Sequence, residues 1–117
     1  MKVSFSGHRD KLAKDDDIIS LLMKYPNASV IHGGAKGFDS QVHSIATILN
    51  RQIIVIPPSY NLYGKKAPII RNRHIVEIGD MLVALYDGRK YGGTLHTINI
   101  AKYLNKPIVI LHPFTSS

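Results

Sequence analysis

The sequence predicts an α/β domain: a five-stranded parallel sheet in the doubly wound order 3-2-1-4-5, with helices on both faces in three α/β/α layers. Three observations carry this expectation. Short apolar runs alternate with segments of helical period along the chain, giving β-α-β-α-β-α-β-α-β. The run from Gln52 to Ile56 is rich in β-branched residues, as suits a parallel strand covered on both faces. Glycines stand after three runs, at Gly7, Gly33-Gly34 and Gly92-Gly93. In the predicted strand order those loops meet in one crevice at the topological switch point.

The elements follow in order. Lys2 to Ser6 reads as a strand, broken by Ser6-Gly7-His8-Arg9-Asp10, where His8 and Arg9 suit phosphate or ribose as well as a solvated turn. Lys11 to Tyr25 has the helical stripe Ile18, Leu21, Leu22, Tyr25. Asp15, Asp16 and Asp17 point in different directions on such a helix, so they complement its dipole and do not gather a metal. Pro26-Asn27 ends the helix and Ala28 to Ile31 forms the second strand. Beyond Gly33, Gly34 and Gly37, the residues Phe38, Val42, Ile45, Ala46 and Leu49 make the stripe of a second helix ending near Asn50. Its start offers free N–H groups to an anion, and Lys36 adds charge. Asp39 or Ser40 as an ordinary N-cap explains the same letters.

After the third strand and Pro57-Pro58, the connection Ser59 to Ala67 carries Tyr60, Tyr63, Gly64, Lys65 and Lys66, fit for a nucleotide base and phosphates or for a surface loop. Pro68 opens a helix with Ile69, Ile75, Val76 and Ile78 apolar. Arg71 and Asn72 lie one turn before Ile75 and Val76, near the inward face, so Arg71 needs a partner, for which a bound phosphate is favoured over an internal carboxylate. Arg73 reads as a solvated charge. Met81 to Leu85 forms a strand, and Asp87-Gly88-Arg89-Lys90-Tyr91 leads to Gly92-Gly93-Thr94, a second glycine turn at a helix start, with Ile98, Ala101 and Leu104 or Tyr103 buried. The last strand is Ile108 to Leu111, and His112-Pro113 begins a polar tail. The histidines His32, His43, His74, His96 and His112 form no metal spacing and read as surface residues or as residues supporting the site from behind.

The 117 residues, 44% of them hydrophobic, suit a single domain over 1–117. With no cysteine, disulfides, thiolate metal sites and cysteine nucleophiles are excluded. No apolar run approaches the roughly 18 residues of a membrane span. Met1-Lys2-Val3 leads into a strand instead of a signal peptide, so the expected location is cytoplasmic and no membrane partner is expected. A net charge of +7, spread along the chain, suggests an anionic partner and leaves nucleotide and nucleic acid open.

The ordered series Gly7-His8-Arg9, Gly33-Gly34-Ala35-Lys36-Gly37-Phe38-Asp39, Tyr63-Gly64-Lys65, Ile70-Arg71-Asn72-Arg73 and Gly92-Gly93-Thr94, followed by Ala101 and Pro107, resembles the SLOG superfamily over nearly the whole chain. The resemblance is nearest to the small group related to YspA and YpsA, with LOG phosphoribohydrolases and DprA as wider relatives. It implies a Rossmann-like fold that binds a nucleotide or nucleotide-derived ligand, ADP-ribose-like or cyclic, to sense or sequester it, in a homo-oligomer and without a cofactor. The ligand residues it implies are Gly7, His8, Arg9, Gly33, Gly34, Lys36, Asp39, Arg71, Asn72, Asp87, Gly92, Gly93 and Thr94. In LOG enzymes the glycine-glycine-threonine segment runs on to a catalytic glutamate. Thr97 stands at the matching position here, so no catalytic residue is assigned and an N-glycosidase becomes the alternative. A second alternative is single-stranded nucleic-acid binding of the DprA kind.

Overall fold

A computed structural model describes residues 1–114, so the end of the polar tail lies outside the described residues. Its elements are β1 (Lys2–Gly7), α1 (Asp15–Lys24), β2 (Ser29–His32), α2 (Phe38–Ile48), β3 (Ile53–Val55), α3 (Tyr60–Tyr63), a 3-10 turn (Gly64–Lys66), α4 (Ala67–Ile78), β4 (Met81–Leu85), α5 (Gly93–Tyr103) and β5 (Ile108–Leu111). The strands pair in the order β3-β2-β1-β4-β5, all parallel. The fold is the predicted Rossmann-like α/β sheet.

Strand alternation decides which helices cover which face. In β4, Met81, Val83 and Leu85 join the core beneath α1 and α2, with Ile18, Leu22, Phe38 and Val42. Leu82 and Ala84 point the other way, onto Val76 of α4 and Ile98 and Ala101 of α5. All five β4 residues are buried, which is why the run is apolar throughout. Each of α1, α2 and α5 is followed by an asparagine in left-handed backbone, Asn27, Asn50 and Asn105, with φ of 67°, 56° and 57°. Asparagine tolerates that conformation, which turns the chain out of a helix.

The structure corrects four expectations. Helix α1 begins at Asp15, not Lys11. The preceding Ala13 is buried and clamped by Gln41 of α2, whose Oε1 accepts from Ala13 N at 2.9 Å and whose Nε2 donates to Ala13 O at 2.7 Å. That clamp overrides local helix propensity. Strand β3 is an edge strand, with Ile53 and Ile54 half-buried and Val55 exposed, so it is not covered on both faces. The connection 59–67 is not a plain loop: it folds into α3 and the 3-10 turn, with Tyr60, Tyr63, Lys65 and Lys66 exposed. On α4, Ile69 is exposed, and at the end of α5 Leu104 is half-buried while Tyr103 is exposed.

Candidate functional site

A crevice of about 470 Å³ opens at the carboxyl ends of β1, β2 and β4. It brings together Gly7, His8, Arg9, Gly33, Asp39, Arg71, Asn72, Gly92, Gly93 and Thr94. Gly34 and Lys36 line an adjoining hollow of about 310 Å³, shared with Arg9, Gly33, Ala35 and Arg71. Asp87 lines neither; it reaches the site through His8 and Arg89. Sequence reasoning missed Asp10 and Arg89, which line the crevice. Their placement depends on two loops 79 residues apart in sequence, so only the strand order signals it.

The first glycine loop is held from inside. Asp39, only 6% exposed, accepts at Oδ2 from Gly33 N at 3.2 Å and Ala35 N at 3.1 Å, while its Oδ1 has no partner among the described residues. The helix it belongs to is preceded by Gly37 at the N-cap, and no side chain caps it. Neither Asp39 nor Ser40 is therefore the N-cap; Ser40 donates instead to Ala35 O at 3.1 Å. The loop amides expected to cradle a phosphate hold the chain's own carboxylate. Burial raises the Asp39 carboxyl above its ordinary pKa, opposed by the Ala35 amide and the charge of Arg71. Gly37 has φ of 75°, and a Cβ there would lie 2.8 Å from the Arg9 carbonyl carbon, so this glycine lets the β1 and β2 loops touch. Gly7 serves packing as well, since a Cβ there would lie 2.7 Å from Phe38 Cγ.

Arg71 projects from α4 over that loop. Its Nη1 donates to Gly33 O at 2.7 Å and its Nε to Asn72 Oδ1 at 2.8 Å. Among the described residues it has no ion-pair partner within salt-bridge distance. Burial lowers the pKa of Arg71, with the Asp39 charge opposing. Across the crevice, α5 starts behind Gly92, whose φ is 107°, and no side chain caps it. Like the start of α2, which no side chain caps either, this start leaves its first-turn amides without a side-chain acceptor at the positive end of the helix dipole, and its Gly93 and Thr94 line the crevice. Thr94 is buried beside it. Thr97 is fully buried and donates to Gly93 O at 2.8 Å, so its hydroxyl is spent on the helix backbone.

The third loop is latched to the first. Arg89 Nη2 meets Asp87 Oδ2 at 2.6 Å and Asp10 Oδ1 at 3.3 Å. The hydrogen bond from Arg89 holds the Asp87 carboxyl well below the usual carboxylate range, and Asp87 in turn raises Arg89. His8, buried, has its Nε2 3.2 Å from Asp87 N and 3.1 Å from Asp87 Oδ1. Burial first, then the field of Arg89, lowers the His8 pKa, so its ring is neutral near pH 7. Among the described residues, the cations at the site without a carboxylate partner are Arg9, Arg71 and Lys36.

His32 takes the second of the two expected places, buried behind the glycine loop and not on the surface. Its Nδ1 accepts from Gly34 N at 3.0 Å, which leaves the ring proton on Nε2, 2.9 Å from His43 Nδ1. Burial drops its pKa to about 4. Among the described residues no group of three or more metal-binding side chains exists, and no helix is long and apolar enough to cross a membrane. No protein-family model and no curated protein matches the chain.

Proposed function

We propose that the protein binds a phosphate-bearing nucleotide or nucleotide-derived ligand in the switch-point crevice, to sense or sequester it. The observation that carries this reading is the pairing of Arg71 with the uncapped start of α5 across one crevice. The Arg71 guanidinium hydrogen-bonds only to neutral acceptors and feels the Asp39 charge without pairing to it, and a phosphate oxygen pair fits its planar fork. Gly93 and Thr94, at the start of α5, line the same crevice and supply helix-start amides to it. The SLOG resemblance points to the same class of ligand and to self-association, for which Leu62, Tyr63, Ile69 and Ile70 of α3 and α4 are exposed apolar side chains.

Melting measurements test the reading. AMP and ADP-ribose should raise the melting temperature and adenosine should not, because a ligand of the native state stabilises it by mass action. Arg71→Ala should weaken calorimetric affinity by about 1.5 to 3 kcal/mol, the range for a hydrogen bond to a charged group. Gly93→Val should also weaken it: a Cβ there has room, 3.6 Å from Asn72 Nδ2, and the added bulk enters the crevice. Full affinity in both folded variants would place the ligand elsewhere.

An N-glycosidase is the second reading, favoured by Asp39, a carboxylate that lines the crevice and whose buried Oδ1 takes no hydrogen bond among the described residues. Against it stands Thr97, buried and bonded to its own helix where the related hydrolases carry glutamate. Prolonged incubation with AMP should therefore release no adenine at enzyme-like rates of about 1 per second or more. Adenine release at such a rate, lost in Arg71→Ala, would make the protein a hydrolase.

A further inference from the structure

Two side chains that line the crevice have their polarity set by a neighbour that can only donate. His8, 5% exposed, accepts the Asp87 backbone N–H on Nε2 at 3.2 Å, so the proton of its neutral ring sits on Nδ1. The ring lies against Tyr86, 5.9 Å between centroids, on the β4 side of the crevice. On α4, Asn72 accepts from Arg71 Nε at Oδ1, 2.8 Å away, so its other arm is the amide nitrogen. That nitrogen lies 3.6 Å from where a Cβ on Gly93 would stand. Among the described residues neither His8 Nδ1 nor Asn72 Nδ2 has a hydrogen-bond partner, and neither is shut off from solvent.

The start of α5 adds donors of the same kind. Gly93 and Thr94 line the crevice at the first turn, where no side chain accepts from the amides. The carbonyls there already have donors: Gly92 O accepts from His96 N at 3.1 Å and Gly93 O from Thr97 Oγ1 at 2.8 Å. The Arg89 guanidinium on this side is occupied by Asp87 and Asp10. A ligand hydroxyl or amide would bring a proton in need of an acceptor. An ionised phosphoryl group brings acceptor oxygens alone, which is what this set of N–H groups can satisfy.

Resting on the function proposed above, we infer that a phosphoryl group of the ligand sits at the first turn of α5 with His8 Nδ1–H and Asn72 Nδ2–H among its donors. Asp87 and Arg71 act behind them as positioning residues. The Asp87 amide selects one tautomer of the His8 ring, and the Arg71 Nε–H selects one orientation of the Asn72 amide. Both donors are therefore oriented before the ligand arrives, which lowers the ordering cost of binding.

The test titrates the isotope-labelled full chain with AMP and with ADP-ribose by NMR, which also reports whether each variant is folded. Ring-nitrogen shifts of the free protein should show His8 protonated on Nδ1, and that proton should move downfield on binding. His8→Asn keeps a donor near the Nδ1 position and gives up the acceptor for Asp87; His8→Gln does the reverse. Affinity should stay within about threefold in His8→Asn and fall about tenfold in His8→Gln, one hydrogen bond. Amide exchange at Asp87 should accelerate in His8→Asn and not in His8→Gln. A purely structural His8 would place both effects in the same variant. Asn72→Asp keeps the acceptor for Arg71 and puts an oxygen where the donor was, so it should bind more than about tenfold more weakly while folded. A proton on His8 Nε2 in the free protein, equal affinity in His8→Asn and His8→Gln, or full affinity in Asn72→Asp would overturn this inference while leaving the nucleotide-binding reading intact. Failure of both ligands to bind the wild type would overturn both.

Discussion

Gly33 shows how one missing side chain organises the site. A Cβ there would lie 2.8 Å from Arg71 Cζ and closer still to Nη1, so alanine at this position evicts the guanidinium from its seat on the Gly33 carbonyl. The backbone is not in the left-handed region at Gly33, and the displaced group is the far end of a flexible side chain. Gly33→Ala should therefore unfold within about 1 kcal/mol of the wild type, yet bind AMP at least about tenfold more weakly. Calorimetry beside urea denaturation checks the split; wild-type affinity would mean that Arg71 does not hold the phosphate. The sequence marked Gly33 and Arg71 separately, from a glycine turn and from a polar residue on an inward helix face. Their contact could not be read there, because it joins residues 38 positions apart through a carbonyl that any residue would possess. The backward turn of Asp39 is hidden in the sequence for a related reason. A carboxylate at a helix start is usually a cap, and only the fold of the loop turns it backward onto Gly33 and Ala35.

At the level of elements, the periodic signals gave existence and order, whereas boundaries yielded to tertiary contacts. The stripes of α2 and α5 and the apolar run of β4 were plain because packing requires them. The start of α1 was hidden, since residues 11–14 have helix-compatible composition and are kept out of the helix by Gln41. Gln41 also donates to Asp15 Oδ1 at 2.8 Å, so one side chain ties α2 to both the extended segment and the first residue of α1. Gln41→Ala should leave the partly buried Ala13 amide and carbonyl without partners and cost about 1 to 3 kcal/mol. The urea midpoint should fall with the slope unchanged, and amide exchange at Ala13 should accelerate. Unchanged exchange there would mean that the extended segment holds without the glutamine. The β3 edge shows the converse limit: its β-branched run encodes a strand, but strand order, not local sequence, puts it at the rim.

On the scale of the whole molecule, the buried histidine links folding to pH. His32 in the folded protein holds its proton only below about 4, while an exposed histidine in the unfolded chain has a value of 6.5. Between these values the unfolded chain binds more protons, so stability rises with pH across that window and is lost as pH falls from 6.5 toward 4. His8, lowered by burial, contributes with the same sign. Asp39 acts oppositely: its folded carboxyl is raised, so its contribution is present at low pH and declines as pH rises through 3.8 to the folded value. The His32 contribution at the acid end amounts to about 3 kcal/mol, from a displacement of about 2.5 pKa units at 1.36 kcal/mol each. Protonation at Nδ1 would break the bond from Gly34 N, so the cost falls on the glycine loop that Arg71 rests upon. His32→Gln keeps an acceptor for that amide and removes the titration. Urea midpoints measured from pH 7 to 4.5 should fall more steeply for the wild type than for His32→Gln. The growing self-repulsion of a chain already at +7 is common to both and cancels in the difference. Parallel slopes would show that His32 is not the group that titrates.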